Sequence, residues 1–250
     1  MKNALFGALA MVMALAMPAQ ALDLRNMTET ERQMLRAEIR AYLLENPQVI
    51  MEAVAVLEQR NAKAQAEDDK TRVAANAEAL FEAETAWVGG NPAGDVTLVE
   101  FMDYRCGYCR RAAPDVNALV EGDGNIRFIL MEFPILGEQS VLSSRFAIAT
   151  RQVAGDAAYK SVHDALLAFD GDVNKTALKR LGDALGLDTP AIMAAMDSPQ
   201  VSRTIAEARE LAQRLGLTGT PSFVLGDQIL RGYMPRAAME ELVTEIRADG

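Results

Sequence analysis

Cys106 and Cys109 are the only two cysteines in 250 residues, and they lie three positions apart in the stretch EFMDYRCGYCRRAAPDV. The apolar run from Val96 to Met102, directly before them, predicts a buried strand. The pattern from Cys106 to Val120 predicts a helix that contains Pro114. We therefore expect the pair at the start of a helix that directly follows a strand.

A cysteine at a helix start is predisposed to react. The unpaired N–H groups and the positive end of the helix dipole favour an anion there, and the thiolate is the attacking form of cysteine. A dipole contribution of about 1 to 2 kcal/mol would raise the thiolate fraction at neutral pH from a few per cent to about a quarter. Arg105 and Arg110 could add to it. Cys109 would then attack a mixed disulfide on Cys106 and release the bound partner.

Two other roles for the pair are weaker. A structural disulfide across one helical turn would close a very small loop and remove little chain entropy. A structural zinc site needs about four ligands, and the chain offers two cysteines and the single His163. His163 lies on an apolar helix face, so we interpret it as structural or exposed rather than catalytic. Thiol-disulfide exchange is the preferred interpretation, and metal binding stays open.

Residues 1–21 have the pattern of a secretory signal peptide. They comprise the basic Lys2, an apolar run over residues 4–16 and the small-residue site Ala19-Gln20-Ala21. The run is too short to cross a bilayer, and no later segment has about 18 uninterrupted apolar residues. We therefore predict a periplasmic protein without stable membrane anchoring.

The charge of the chain argues against polyanionic partners. The 25 Lys and Arg against 35 Asp and Glu give a net charge of −10, which becomes −11 when Lys2 leaves with the signal peptide. A negative field disfavours nucleic acid and anionic lipid. Because 50% of the residues are hydrophobic, the chain can form a packed core without disulfides.

Residues 22–60 are predicted to form helices that assemble with other copies of the chain. They open with the capping box Thr28 to Glu31, and Asn46-Pro47 restarts the helix. Two short helices cannot bury their apolar stripes alone; the stripes are Leu35, Ile39, Tyr42 and Ile50, Val54, Leu57. Packing of these stripes on the rest of the same chain is the alternative. Residues 61–86 read as a helical linker, because residues 58–72 have no large apolar side chain.

The remaining chain completes an α/β pattern. A strand is predicted at residues 126–131, followed by a helical insertion over about 138–218. The clearest stripe of the insertion is Val201, Ile205, Ala208, Ala212 and Leu215. Thr220-Pro221 then precedes a hairpin that turns at Gly226-Asp227, and a last helix covers residues 235–247.

This combination resembles the DsbA-like thiol-disulfide oxidoreductases of the thioredoxin superfamily. The resemblance covers about Trp87 to Arg247, and it implies a thioredoxin fold over residues 87–250 with a helical insertion, preceded by an oligomerisation stalk. It also implies that Pro221 is cis and faces the cysteines, with the backbone of Thr220 free to pair with an extended client. Glu100 matches a buried family glutamate that assists proton movement at the inner cysteine.

Gly107 and Tyr108, between the cysteines, give the sequence CGYC, which has no histidine to support a strongly oxidising pair. Together with Thr220 they resemble the DsbC-like periplasmic isomerases, and the added stalk resembles suppressor-of-copper-sensitivity C-type isomerases. The resemblance implies a dimer or trimer that acts on unfolded or wrongly crosslinked exported proteins. The resemblance also implies a membrane redox partner that resets the pair, and no cofactor is expected. Cu(I) binding by Cys106 and Cys109, or a client-specific reductase or oxidase, are the alternatives.

Overall fold

The computed structural model describes residues 26–249, so the predicted signal peptide lies outside the described residues. Between Arg60 and Asn61 the chain divides into two compact units. Among the described residues, no helix combines the length and the apolar character needed to span a membrane.

The first unit contains helix α1 (Glu29–Glu45) and the beginning of α2 (Gln48–Ala75). The predicted capping box is confirmed: the Thr28 hydroxyl accepts from Glu31 N–H, and the Glu31 carboxylate accepts from Thr28 N–H at 2.7 Å. No residue of α1 is buried. The unit instead exposes a set of large apolar side chains, namely Met34, Ile39, Tyr42, Leu44, Ile50, Met51, Val54, Val56 and Leu57.

The second unit is built on a five-stranded mixed sheet with the order β1-β3-β2-β4-β5. The strands are β1 (Trp87–Gly90), β2 (Val96–Met102), β3 (Ile126–Glu132), β4 (Ser222–Leu225) and β5 (Gln228–Arg231). The central strand β2 runs parallel to β3 and antiparallel to β4. The predicted thioredoxin-type α/β fold with its C-terminal hairpin is confirmed.

Helices cover both faces of the sheet. They are α3 (Ala77–Phe81), α4 (Gly107–Asp123), α5 (Glu138–Leu167), α6 (Lys175–Ala184), α7 (Thr189–Ala195), α8 (Pro199–Arg214) and α9 (Arg236–Asp249). One core joins α4, α5 and α9 to the face that carries Leu98. The other core joins α3, α8 and the end of α2 to the face that carries Val99. The predicted insertion corresponds to α5 to α8, and Gly155, at φ +82°, interrupts α5.

Strand β1 is an element that the sequence pattern does not predict. The stretch from Gly89 to Asp95 reads as a turn, but Trp87–Gly90 pairs antiparallel with β3 in the register Trp87 to Leu130. The pairing decides the conformation here, because a strand this short and rich in glycine has weak local propensity.

Residues 61–75 differ from the predicted solvated linker. They continue α2 without a break, and Asp69 and Val73 are buried in the second unit. Arg231 of β5 holds Asp69 through two hydrogen bonds of 2.6 and 2.7 Å. The partners are 162 positions apart, so the hydropathy of residues 61–75 gave no sign of this anchor.

Candidate active site

The two cysteines lie where β2 ends and α4 begins. Cys106 is the N-cap residue of α4, with φ −78° and ψ 117°, and its N–H donates to the Asp103 carbonyl at 3.0 Å. Cys109 lies in the first helical turn. Both are free thiols in the structure, with 8% of Cys106 and 1% of Cys109 exposed to solvent. The outer sulfur is therefore the one that a client can reach.

The surroundings of Cys106 favour its thiolate. A hydrogen bond from the Cys109 side chain, the Thr220 hydroxyl and the backbone N–H groups of Cys109 and Tyr108 together lower the pKa of Cys106 to about 5, although burial opposes them. The two backbone donors belong to the first turn of α4, where N–H groups point toward the helix N-terminus. The pKa is lower than a dipole effect alone would give, because hydrogen bonds to the sulfur add to it.

The two neighbouring arginines do not contribute in the predicted way. Arg105 donates to the Gly171 carbonyl at 3.0 Å. Arg110 donates to the carbonyls of Tyr104 and Phe169 at 3.1 and 2.8 Å. Both guanidinium groups therefore tie the active-site turn to the loop after α5, and neither is among the main groups that lower the pKa of Cys106.

Thr220 and Pro221 lie beside the outer sulfur. The Thr220–Pro221 peptide bond is cis, as the family resemblance implies. The Thr220 carbonyl oxygen is 3.1 Å from the Cys106 sulfur. At that distance a thiol donates to the carbonyl, whereas a thiolate only contacts it. The Thr220 hydroxyl is buried and has no other hydrogen-bond partner within residues 26–249, so it can serve the thiolate.

The pKa values of Glu100 and Cys109 are raised, whereas the pKa of Cys106 is lowered. The hydrogen bond that Cys109 donates to Cys106, burial and the nearby Glu100 charge all raise the pKa of the Cys109 thiol. Burial, followed by the charge of Cys106, raises the pKa of Glu100 to about 8. Glu100 is 5% exposed on the central strand. A carboxyl of this kind can accept a proton when Cys109 ionises.

A small apolar surface adjoins the outer cysteine. Tyr108 is 62% exposed, while the next loop presents Ile135 and Leu136, which are also exposed. The Asp103 carboxylate fixes that loop by accepting from the N–H groups of Ile135 and Leu136 at 2.8 and 3.0 Å. Gly107 meets nothing within 4 Å of an added Cβ, so space does not require glycine there. The surface suits the apolar side chains of an unfolded client.

Sequence reasoning missed a buried polar cluster behind the cysteine turn. The Glu132 carboxylate accepts hydrogen bonds of 2.7 Å from Tyr104, Tyr159 and Ser144. His163 Nδ1 lies 3.2 Å from the Tyr104 hydroxyl, which makes His163 a buried part of this cluster. The available signal was the charged residue that ends the apolar strand IRFILME. In residues 26–249 there is no group of three or more His, Cys, Asp or Glu side chains suited to hold a metal ion.

Comparisons with known proteins agree with the fold. Residues 97–247 match the model of the DSBA-like thioredoxin domain. Residues 31–64 match the N-terminal domain of the copper resistance protein ScsC. The predicted resemblance to both groups is thereby confirmed.

Two solved structures have a fold similar to that of this chain. A thioredoxin-like oxidoreductase from Silicibacter pomeroyi is 42% identical, with a TM-score of 0.65 over 68% of this chain and 97% of that one. A linker-deletion variant of ScsC from Proteus mirabilis is 22% identical, with a TM-score of 0.68 over 90% of this chain and 98% of that one. The second likeness concerns the fold.

The curated relatives are much longer proteins. The Na(+)/H(+) antiporter NhaA 1 of Salinispora arenicola is 28% identical over 158 residues, which are 63% of this chain and 24% of the antiporter. This chain thus spans about a quarter of the length of the curated relatives that it matches.

Proposed function

This chain belongs to the DSBA-like thioredoxin family of thiol-disulfide oxidoreductases, and we propose that within it the protein is a periplasmic disulfide isomerase. Its clients are exported proteins with wrong or missing disulfides, and Cys106 and Cys109 carry the chemistry. The observation that carries the proposal is the opposite ionisation of the two cysteines, an outer thiolate above an inner thiol.

The exchange cycle follows from that difference. The Cys106 thiolate attacks one sulfur of a client disulfide, a mixed disulfide forms, and the other client sulfur leaves as a thiolate. A second client thiolate then attacks the mixed disulfide, which forms the new client disulfide and returns Cys106 as a thiolate. Burial and the nearby Glu100 charge, which also raise the pKa of Cys109, persist in the mixed disulfide, so the inner thiol stays protonated and leaves time for this shuffling. When the client does not rearrange, Cys109 ionises, attacks Cys106 and releases the client reduced.

The surface around Cys106 supports an unfolded client as the substrate. The exposed Tyr108, Ile135 and Leu136 offer apolar contacts. The Thr220 carbonyl, which a thiolate at Cys106 leaves without a donor, can accept from the backbone of an extended segment. Neither contact selects a particular client sequence, which suits an enzyme that acts on many proteins.

The exposed apolar residues of the first unit support assembly of several copies. Stripes of this kind are stable when they are buried against another helix, and burial contributes about 25 cal/mol per Å² of apolar surface. Assembly as a dimer or trimer would raise the local concentration of thiolates around one client. The periplasmic location rests on the signal-peptide pattern of residues 1–21. A membrane reductant must keep the pair as thiols for isomerase work.

Refolding of scrambled ribonuclease tests the proposal, because its disulfides are all formed but wrongly paired. The reduced wild-type protein should restore ribonuclease activity, Cys106→Ser should not, and Cys109→Ala should accumulate a mixed disulfide. Parallel assays with reduced ribonuclease and with insulin measure oxidase and reductase activity. If wild type and Cys106→Ser restore scrambled ribonuclease at the same rate, the proposed function is wrong.

A second candidate function is Cu(I) binding by the same pair. Two observations favour it: the match of residues 31–64 to a copper resistance protein, and two adjacent free thiols, since soft thiolates select Cu(I). Anaerobic titration with Cu(I) should then show stoichiometric uptake that Cys106→Ser abolishes. Tight uptake without any repair of scrambled ribonuclease would favour copper binding over isomerisation.

A further inference from the structure

The buried cluster around Glu132 takes no part in the exchange cycle described so far. Three hydroxyl groups donate to one carboxylate that is 3% exposed. Tyr104 is central, because its hydroxyl donates to Glu132 at 2.7 Å and also lies 3.2 Å from His163 Nδ1. A hydroxyl between two such groups can accept a proton from one and donate its own to the other.

One end of the cluster reaches the inner part of the active site. Glu100 and His163 line the same small cavity between α4 and the sheet, together with Val116 and Phe128. The cavity measures about 10 Å³, which is the room that about one water molecule needs. A single water there would connect the carboxyl that serves Cys109 to the imidazole of His163.

The other end of the cluster adjoins an open cleft. Glu132 lies in the wall of an open cleft of about 300 Å³ at the edge of the sheet beside β1. Arg151 and the exposed Glu207 also line this cleft. Glu132 is only 3% exposed, but Tyr159, which donates to its carboxylate, lines the same cleft.

We propose that Glu100, His163, Tyr104 and Glu132 form a proton path that joins Cys109 to the solvent in this cleft. The inference rests on the proposed function, because it concerns the proton that leaves Cys109 when the mixed disulfide is resolved. His163, Tyr104 and Glu132 act through Glu100 and do not touch the sulfur atoms, so they are positioning residues for proton transfer.

The resolution step balances as follows. The Cys109 thiol gives its proton to the Glu100 carboxylate, and the resulting thiolate attacks the sulfur of Cys106. The bond between Cys106 and the client breaks, and its electron pair leaves with the client as a thiolate. Cys106 and Cys109 are oxidised to the disulfide while the client sulfur is reduced.

The proton then moves by changes of hydrogen-bond partner. Glu100 gives it to the water, which donates to the free ring nitrogen of neutral His163. The Nδ1 proton passes to Tyr104, and the Tyr104 hydroxyl gives its own proton to the Glu132 carboxylate. His163 ends as the other neutral tautomer. When the disulfide between Cys106 and Cys109 is reduced, the same proton transfers run in reverse and return a proton to Glu100.

The pKa values of Glu132, His163 and Tyr104 agree with their roles in proton transfer. Burial raises the pKa of Glu132 to about 7, against the hydrogen bonds from Ser144, Tyr104 and Tyr159, so this carboxyl exchanges protons near neutral pH. Burial lowers the pKa of His163 to about 4, which keeps the imidazole neutral. Burial also raises the pKa of Tyr104 well above its ordinary value, so the hydroxyl stays protonated between transfers.

Two tyrosines provide a matched pair of variants. Tyr104→Phe and Tyr159→Phe each remove one buried hydroxyl that donates to the same Glu132 oxygen, Oε1, at 2.7 Å. Only Tyr104 also contacts His163 through its hydroxyl. Both variants therefore lose one hydrogen bond to Glu132, whereas Tyr104→Phe alone also loses the contact with His163 and cuts the proton path.

The experiment follows oxidation of the reduced protein by oxidised glutathione. Rapid acid quench and mass spectrometry measure how fast the mixed disulfide forms and how fast Cys109 resolves it, from pH 5 to 9 and in D₂O. Tyr104→Phe should slow resolution about tenfold or more and leave formation unchanged. Tyr159→Phe should leave both steps unchanged. His163→Gln, which cannot exchange protons between two ring nitrogens, should reproduce the effect of Tyr104→Phe.

The inference is overturned if Tyr104→Phe and Tyr159→Phe resolve the mixed disulfide equally fast, whether at the wild-type rate or below it. His163→Gln decides the same question if Tyr104→Phe does not fold: a wild-type rate in that variant excludes the path. If the wild-type protein forms no mixed disulfide at all, the proposed function fails. That result is distinct from a mixed disulfide that forms and is resolved normally in every variant.

Discussion

At the scale of single residues, the reactivity of Cys106 depends on hydrogen bonds to one sulfur atom. The Cys109 side chain is the largest contributor, followed by the Thr220 hydroxyl and two N–H groups of the first turn of α4. The absence of a histidine between the cysteines suggested a less acidic thiol, but that argument considers neighbouring charge alone. Hydrogen bonds from Cys109, Thr220 and the first turn of α4 lower the pKa of Cys106 instead, and a more stable thiolate favours the reduced form of the pair.

Alkylation of the reduced protein by iodoacetamide should report this thiolate directly. The pKa of about 5 predicts that the rate at Cys106 stays high from pH 8 down to about pH 6 and falls by half near pH 5. Cys109 should remain unmodified because it is buried and protonated. The measurement is the rate at each pH, with the site identified by mass spectrometry.

Cys109→Ala is the control for the source of the effect. It removes the largest donor to the Cys106 sulfur, so the midpoint of the alkylation curve should move upward while the helix N–H groups keep it below that of the denatured chain. A midpoint near the ordinary thiol value of about 8.5 in the folded wild type would contradict the ionisation described here.

At the scale of elements, the ion pair of Asp69 with Arg231 fixes part of the polar helix α2 to the sheet. Asp69 is 5% exposed, and two hydrogen bonds from Arg231 fix this part of α2 to β5. The neighbouring pair of Lys70 and Asp227 joins the same two regions, but both of its side chains are about half exposed. In the first pair the Asp69 carboxylate is shielded from water although Arg231 is 39% exposed, whereas both members of the second pair are open to solvent.

Matched substitutions separate the two pairs. Arg231→Met leaves the buried Asp69 carboxylate without its partner and should lower the free energy of unfolding by about 1 to 3 kcal/mol. Lys70→Met breaks the exposed pair and should cost about 0.5 kcal/mol or less. Urea unfolding at pH 7, followed through the single tryptophan, Trp87, gives both values. Equal losses in the two variants would show that Arg231 does not anchor α2.

At the scale of the whole molecule, the candidate active site and the exposed apolar side chains lie in different parts of the chain. The cysteines, Glu100 and Thr220 all lie in the second unit, whereas nine exposed large apolar side chains lie in residues 26–60. The proposed work of these side chains is to bring several thiolates to one client, which a single copy cannot do.

Deletion of residues 22–60 from the mature protein tests this division. Light scattering should show an oligomer for the full-length protein and a monomer for the shortened one. The shortened protein should still reduce insulin, but it should lose repair of scrambled ribonuclease by about a hundredfold, as expected when several linked sites are separated. If the shortened protein kept the same number of chains per particle as the full-length protein, the assembly role would be contradicted.

The end point of the deletion matters, because residues 61–75 contribute Asp69 and Val73 to the second unit. A longer deletion that extends to Arg72 removes the Asp69 anchor, so it should also lower stability. The comparison of the two shortened proteins separates loss of assembly from loss of folding.

The sequence by itself determined those features that depend on neighbouring residues. A strand followed by a helix with Cys106 at its start, the capping box at Thr28 and the hairpin at Gly226 are all written in local periodicity and turn residues. The combination also predicted the family and its α/β fold. Local patterns succeed here because hydrogen bonds of caps, turns and helices join residues at most a few positions apart.

Only the tertiary structure decided which distant residues meet. Tyr104 and Glu132 are 28 positions apart, Tyr104 and His163 are 59, and Cys106 and Thr220 are 114. Folding brings each pair into a water-poor interior, where burial and hydrogen bonds shift pKa values and unpaired polar groups are costly. The acidity of the sulfur and the route of its proton therefore depend on contacts between distant parts of the chain that local sequence patterns do not specify.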